Sequence, residues 1–250
     1  MVCSCLIGPL FPFVAVFAIV WTMHEYYSMA YGRSGDFIAE RILAVVTAVS
    51  VFVLLCFILH GVLQARYLVL AILPILAMMI VPVWMKDHSR HSRISHVFVG
   101  LVCVGLPLSL LPLLTVRGGS HDSLLLLCII AVIWLSDVQR PGARKLAPAI
   151  SPKKSLWGLI GAVIAGVLVS VGLHFLGLFK LPLVHCIAIG MLASALGVLG
   201  DLVESMFKRD FGYKDSGYLI PGHGGLYDRL DSIIVATPAI TAYLVLFGLL

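Results

Sequence analysis

Seven of the chain's 12 acidic residues fall between positions 137 and 231, where they alternate with lysines and glycines. At helical spacing, one face of a single helix presents two carboxylates, a hydroxyl and an ammonium group, from Asp201, Glu204, Ser205 and Lys208. Asp228 and Asp231 share a second face if the segment after position 226 is helical. Carboxylates beside lysines are the groups that hold a divalent metal ion and a polyphosphate.

The segment between these two acidic faces is rich in glycine. It includes Gly217, Gly222, Gly224 and Gly225, and glycine permits positive φ angles and a close approach of the backbone to a ligand. A loop that cradles phosphate is one interpretation. An ion-paired helix end followed by a solvated turn is the other, and the pattern alone leaves both open.

The elements that must position these residues are membrane helices. Of the 250 residues, 61% are hydrophobic and 12% are charged, and the mean hydropathy is +1.08. An ordinary soluble domain has about 25% charged residues, so this class is excluded. Eight apolar runs predict an all-α, polytopic membrane bundle of about eight transmembrane helices. They are residues 6–22, 42–62, 67–84, 96–116, 123–136, 156–179, 183–207 and 232–250.

We expect one membrane domain over residues 1–250, because eight crossings leave no room for a soluble domain. Within it, residues 1–136 form an N-terminal helical region, and residues 137–250 form a catalytic region with two motif loops. The run at 123–136 is the shortest of the eight.

The distribution of basic residues predicts the topology. Of the 17 lysines and arginines, 14 lie in the odd-numbered loops, and the other three are Arg66, Arg117 and Lys180. The positive-inside rule therefore places the motif loops in the cytoplasm and both termini outside. The chain has no basic helix suited to a DNA groove, so no nucleic-acid partner is expected.

Residues 205–231 resemble the signature of the phosphatidate cytidylyltransferases, also called CDP-diacylglycerol synthases. The fixed positions of that signature are present as Ser205, Lys208-Arg209, Lys214-Asp215, His223-Gly-Gly225 and Asp228-Arg-Leu-Asp231. A second family element, Ser-Pro-Lys-Lys-Thr, is similar to Ser151-Pro-Lys-Lys-Ser155, and Glu25-Tyr-Tyr resembles an early Glu-aromatic element. The chain departs from the family around Asp137, where the stretch up to Lys145 is several residues shorter.

The resemblance implies transfer of a cytidylyl group from CTP to phosphatidate with Mg²⁺, giving CDP-diacylglycerol and pyrophosphate. It implies metal ligation by Asp201 and Asp228, with Asp231 and Glu204 as helpers. It implies that phosphate groups are bound by Lys208, Arg209 and Lys214. It implies that the substrates are bound by Ser151, Lys153, Lys154 and Arg229. The residues expected near the reacting phosphates are Ser205, Asp215 and His223.

The expected location is a bacterial cytoplasmic membrane, with the active site facing the cytoplasm, and the expected partners are CTP, phosphatidate and a second copy of the chain. Two alternatives stay open. One is a CTP-dependent transferase that acts on another lipid phosphate. The other is a cation-coupled transporter that uses Asp201 and Glu204 as ion sites.

Overall fold

A computed structural model of the protein describes residues 10–32, 37–80, 91–117, 120–137, 144–148, 150–213, 216–217 and 224–250. Its α-helices are α1 (Phe11–Tyr31), α2 (Ile38–Leu59), α3 (Ile72–Ile80), α4 (His91–Gly100), α5 (Leu106–Ser109), α6 (Leu124–Ser136), α7 (Leu156–Phe175), α8 (Leu183–Asp210) and α9 (Tyr227–Leu246). A 3₁₀ segment at Ala65–Ala71 leads into α3, and a π segment at Leu101–Gly105 joins α4 to α5. A further 3₁₀ segment covers Leu111–Leu114.

In the residues that the structure describes, each of the eight apolar runs is largely helical, which confirms the helical membrane fold. In the described ranges, five helices are long and apolar enough to cross a bilayer: Ile38–Leu59, Ile94–Leu114, Leu156–Phe175, Leu183–Asp210 and Tyr227–Leu246. Two other apolar helices, Ala65–Ile80 and Leu124–Ser136, are shorter. The protein is therefore an integral membrane protein, and the predicted count of eight crossings stays a prediction.

Two short antiparallel strand pairs interrupt the helices. One pair is β1 (Val116–Arg117) with β2 (Ser120–His121), and the other is β3 (Lys145–Ala147) with β4 (Ser151–Ser155). β4 runs directly into α7, where the Ser155 hydroxyl accepts a hydrogen bond from Gly158 N at 3.1 Å. This N-cap satisfies a backbone donor that the first turn of a helix leaves free. The hairpin is therefore anchored to a membrane helix.

The helices α7 and α8 cross at small residues. A Cβ atom on Gly166 would lie 2.6 Å from Ser194 Cβ, and one on Gly190 would lie 2.8 Å from Ser170 Cβ. Ser170 donates a hydrogen bond to the carbonyl oxygen of Cys186. In membranes, small residues let backbones approach closely and gain van der Waals contact. The crossing therefore fixes α8 against the helix that carries the hairpin.

An aromatic cluster ties the first helix to the last two. The ring of Tyr26, which is fully buried, lies 5.5 Å from that of Phe207, 5.7 Å from that of Phe211 and 6.2 Å from that of Tyr227 between centroids. These edge-to-face arrangements are the favoured geometry for aromatic pairs. The cluster therefore holds α1, α8 and α9 together at one end of the bundle.

Candidate functional site

The C-terminal half of α8 carries the acidic face that the spacing predicts. Asp201 is about one-third exposed, whereas the Glu204 side chain is almost fully buried. One turn further on, Lys208 Nζ lies 2.8 Å from Glu204 Oε1, so the predicted i, i+4 neighbours form an ion pair. A carboxylate buried to this degree requires such a partner, because an isolated charge in an apolar interior is costly.

Gly200 brings α9 against this face. A Cβ atom there would lie 2.5 Å from the carbonyl oxygen of Asp231 and 2.8 Å from Ser232 Cα, so only glycine fits between the two backbones. One turn earlier, the Ser232 hydroxyl donates a hydrogen bond to Gly197 O at 3.0 Å. The two helices therefore touch at the position of the acidic residues.

This contact gathers three carboxylates from two helices. Oxygen atoms of Asp201, Glu204 and Asp231 all lie within 4.8 Å of one another. Three converging carboxylate oxygens are the donor set that Mg²⁺ and Ca²⁺ take in proteins. Like charges so close repel each other, so the group is suited to neighbouring ammonium groups and to a divalent ion.

Lys154 supplies positive charge beside this group from the hairpin. Its ammonium is ion-paired with Asp201 Oδ2 and lies 3.6 Å from Asp137 Oδ1. Burial alone would lower the pKa of Lys154, but the hydrogen bond and the charge of Asp201 outweigh it and raise that pKa. Lys154 therefore remains a cation. Asp137, where the sequence departs from the family, lies at the same site.

Asp228 has a different environment from the other carboxylates. Its Oδ1 lies 3.1 Å from Lys208 Nζ, and its Oδ2 accepts hydrogen bonds from the backbone N–H of Ser216 at 3.2 Å and of Gly225 at 2.9 Å. It does not belong to the group of three carboxylates whose oxygen atoms lie within 4.8 Å of one another. In the structure, Asp228 joins the loop before α9 to Lys208.

A cavity of about 540 Å³ opens at this point. Its polar lining consists mainly of Ser136, Asp137, Lys154, Asp201, Asp228, Arg229 and Asp231. Its apolar lining includes Ile133, Trp134 and Val198, and the Trp134 side chain is 68% exposed on the outer face of α6. A volume of this size is typical of small-molecule sites. The cavity therefore joins a charged interior to an apolar surface.

The other predicted residues are distributed unevenly. Ser205 is half-buried on α8, Arg209 is exposed at its end, and Ser151 begins β4. Arg229 is exposed and lines the cavity. The predicted residues Lys214, Asp215 and His223 lie outside the described residues, as does the side chain of Lys153.

Sequence reasoning missed Gly200, Ser232 and Ser216. A signal existed for Gly200, because a glycine inside a helix costs about 1 kcal/mol relative to alanine and so indicates a packing requirement. The contacts of Ser232 and Ser216 join segments far apart in the chain, and local spacing carries no sign of them.

Replacing Gly200 with alanine is expected to separate α8 from α9. The new methyl group would meet backbone atoms, which cannot rotate away, so one helix must shift and Asp231 must move from Asp201. Overpacking of this kind costs roughly 1–3 kcal/mol of stability. We expect a lower thermal unfolding midpoint in detergent and weaker Mn²⁺ binding, measured by electron paramagnetic resonance.

Gly197→Ala is the matched control on the same helix. The nearest atom to a Cβ there is Ile133 Cγ2 at 3.5 Å, which is ordinary van der Waals contact. We expect this variant to keep both the unfolding midpoint and the Mn²⁺ affinity. Equal behaviour of the two alanine variants would contradict the close contact at Gly200.

Comparison with known proteins finds similarity to cytidylyltransferases. The sequence model of a family described as the cytidylyltransferase family matches residues 1–247. A phosphatidate cytidylyltransferase of Staphylococcus haemolyticus is 41% identical over 120 residues, which are 46% of each chain. One of Rickettsia bellii is 35% identical over 160 residues, which are 59% of this chain and 68% of the relative. One of Staphylococcus aureus is 38% identical over 120 residues.

The chain matches about half the length of the staphylococcal relatives.

Proposed function

Because the chain belongs to the cytidylyltransferase family, we propose that it transfers a cytidylyl group from CTP to phosphatidate, in the synthesis of phospholipids. The products are CDP-diacylglycerol and pyrophosphate. The observation that carries the proposal is one cavity lined by two of the three grouped carboxylates, Asp201 and Asp231, by Lys154, and by an apolar wall that includes the exposed Trp134.

The reaction requires little acid–base chemistry. An oxygen of the phosphatidate phosphate, already ionised at neutral pH, attacks the α-phosphorus of CTP, and the bond from that phosphorus to the pyrophosphate oxygen breaks. The protein must bring two anions together and stabilise the charge on the leaving pyrophosphate. Lys154 and Arg229, the cations among the described cavity-lining residues, are suited to both tasks.

The donor set fits Mg²⁺, and we assign Asp201, Glu204 and Asp231 as the residues that would hold it. When bound, the ion would neutralise phosphate charge and polarise the phosphorus–oxygen bonds. Lys154 lies against Asp201 and would place its ammonium next to phosphates on that ion. Asp228, the other first-choice ligand from the sequence, is proposed to act from the neighbouring position through Lys208.

Lys208 is held by two carboxylates, Glu204 on its own helix and Asp228 on α9. We propose that this bridge keeps the start of α9, with Ser216 and Gly225, beside the carboxylate group. Arg209, and Lys214 outside the described residues, are proposed to contact phosphate groups.

The exposed Trp134 marks the side from which a lipid would enter. Its neighbours on the cavity wall, Ile133 and Val198, are apolar and suit the glycerol and the first acyl carbons of the substrate. The distribution of basic residues supports a cytoplasmic orientation of the site, where CTP is available, in a bacterial cytoplasmic membrane.

An assay of the purified protein in nanodiscs tests the function. Labelled CTP and Mg²⁺ are supplied with nanodiscs that contain phosphatidate, a polyprenyl phosphate or neither, and the CDP-lipid and pyrophosphate are quantified. We expect both products in equal amounts with phosphatidate alone. Product with only the polyprenyl phosphate would replace the lipid assignment. Absence of any CDP-lipid, together with cation flux in proteoliposomes, would establish the transporter alternative.

A further inference from the structure

A fourth carboxylate, Glu25, is buried on α1 and lies against the start of α9. Glu25, on α1, is only 4% exposed. Its Oε2 accepts a hydrogen bond from Tyr227 N at 2.7 Å, and its Oε1 accepts one from Leu226 N at 3.1 Å. Leu226 is the N-cap residue of α9, and Tyr227 is its first helical residue.

These backbone donors are the ones that a helix leaves unsatisfied. The first N–H groups of a helix have no acceptor within it, and they carry the positive end of the helix dipole. The N-cap residue of α9 provides no side-chain hydrogen bond of its own. Glu25 therefore supplies, from a different helix, both the acceptor and the negative charge of a cap.

Glu25 also contacts both described ends of the loop that precedes α9. The Ser216 hydroxyl donates a hydrogen bond to its Oε2 at 3.3 Å. Cβ atoms on Gly217 and Gly225 would lie 2.6 Å and 2.5 Å from its two oxygens, so a side chain at either position would displace the Glu25 carboxylate. The same two segments donate backbone N–H groups to Asp228, from Ser216 and Gly225.

We propose that Glu25 is a positioning residue of the site: it caps α9, closes the ends of the loop before it, and so holds Asp228 and Asp231 against α8. A continuous path supports this role. Glu25 fixes the first turn of α9, Asp228 in that turn holds Lys208, and Lys208 is paired with Glu204 of the carboxylate group.

The test begins with the conservative variant Glu25→Gln. Both carboxylate oxygens of Glu25 accept hydrogen bonds from N–H donors. Oε2 accepts from Tyr227 N, and Oε1 accepts from Leu226 N and from Trp21 Nε1, the last at 2.9 Å. In either orientation, the glutamine NH₂ group therefore faces an N–H group and cannot accept from it. Glu25→Asp is the second variant, which keeps the charge but shortens the reach by one methylene.

Thr22→Val is the matched control on the same helix. Thr22 is fully buried, and within the described part of the chain its hydroxyl has no hydrogen-bond partner. Valine keeps the shape of threonine, so this variant reports the effect of altering buried α1 without altering the cap.

The first readout is hydrogen exchange, which needs no activity. In Glu25→Gln we expect the amides at the start of α9 to exchange on the order of tenfold faster, because the charged hydrogen bonds that protect them are lost. We expect the amides in the middle of α8 to keep their rates. Unchanged exchange at positions 224–230 in both Glu25 variants would overturn the capping role.

The second readout is the metal requirement, which a purely structural role would not move. We expect the Mg²⁺ concentration for half-maximal activity to rise about tenfold in Glu25→Gln, with a fall in kcat and little change in KM for CTP. Glu25→Asp should recover part of kcat, and Thr22→Val should match the wild-type protein. Faster exchange with an unchanged Mg²⁺ requirement would overturn the positioning role.

The activity readout rests on the proposed function, so the two are separated by Mn²⁺ binding. If the wild-type protein transfers no cytidylyl group to phosphatidate, the proposed function fails by itself. Mn²⁺ affinity, measured by electron paramagnetic resonance, then decides the positioning role: a weaker affinity in Glu25→Gln supports it, and an equal affinity overturns it.

Discussion

Replacing Asp201 with asparagine is expected to lower the turnover of CTP by on the order of 100-fold or more. The variant keeps the shape of the side chain but removes one of the three grouped carboxylates and the partner of Lys154. Asp201 is about one-third exposed, so the change leaves no buried gap. The measurement is the initial rate of CDP-diacylglycerol formation as a function of Mg²⁺ concentration.

Asp210→Asn is the control for this prediction. It makes the same substitution on the same helix, at an exposed residue outside the cavity lining. We expect its rate and Mg²⁺ dependence to match those of the wild-type protein. Near-normal turnover of Asp201→Asn at limiting Mg²⁺ would show that the three-carboxylate group is not the metal site.

Replacing Lys154 with methionine is expected to reduce kcat/KM for CTP by on the order of 100-fold. Methionine keeps most of the length and removes the charge, so the cavity loses the cation beside Asp201 and Asp137. The thermal unfolding midpoint should also fall, because Asp201 loses its ion-pair partner while it stays close to two other carboxylates. The kinetics are therefore compared at a temperature at which both proteins are folded. Steady-state kinetics with varied CTP and fixed phosphatidate provide the measurement.

Lys145→Met serves as the comparison, since Lys145 is exposed on the other strand of the same hairpin. It tests whether a general loss of positive charge explains the effect. If both methionine variants lose activity equally, Lys154 has no specific role in binding phosphate.

The local spacing of residues in the sequence was sufficient to predict the helices and one acidic helix face. The apolar runs coincide with helices because a helix that faces lipid must be apolar around its surface. Asp201, Glu204 and Lys208 lie together as the i, i+3 and i+7 spacing requires. These relations depend only on the geometry of one helix.

Local spacing was insufficient to predict that Asp228 and Asp231 have different environments. They are three residues apart on α9, yet Asp231 joins the carboxylate group while Asp228 accepts from Ser216 and Gly225. The difference arises from the backbone N–H groups of Ser216 and Gly225, which lie against Asp228. Periodicity describes one helix at a time and cannot report such a contact.

Long-range contacts were the other part that the sequence left undetermined. The hydrogen bonds from Leu226 and Tyr227 to Glu25 join residues about 200 positions apart. The strand that presents Lys154 also depends on a partner, β3, which the sequence reading treated as a loop. In both cases the sequence shows the residue but does not indicate which distant residue or strand it contacts.

The shortness of α6 has a consequence for the surrounding bilayer. Its 13 residues rise about 20 Å, whereas the hydrocarbon layer is about 30 Å thick. The cavity opens at the end of this helix. If α6 crosses the hydrocarbon layer, the leaflet beside Trp134 would have to thin to match it. Under the proposed function, membrane thickness would then affect how readily a lipid phosphate reaches Lys154.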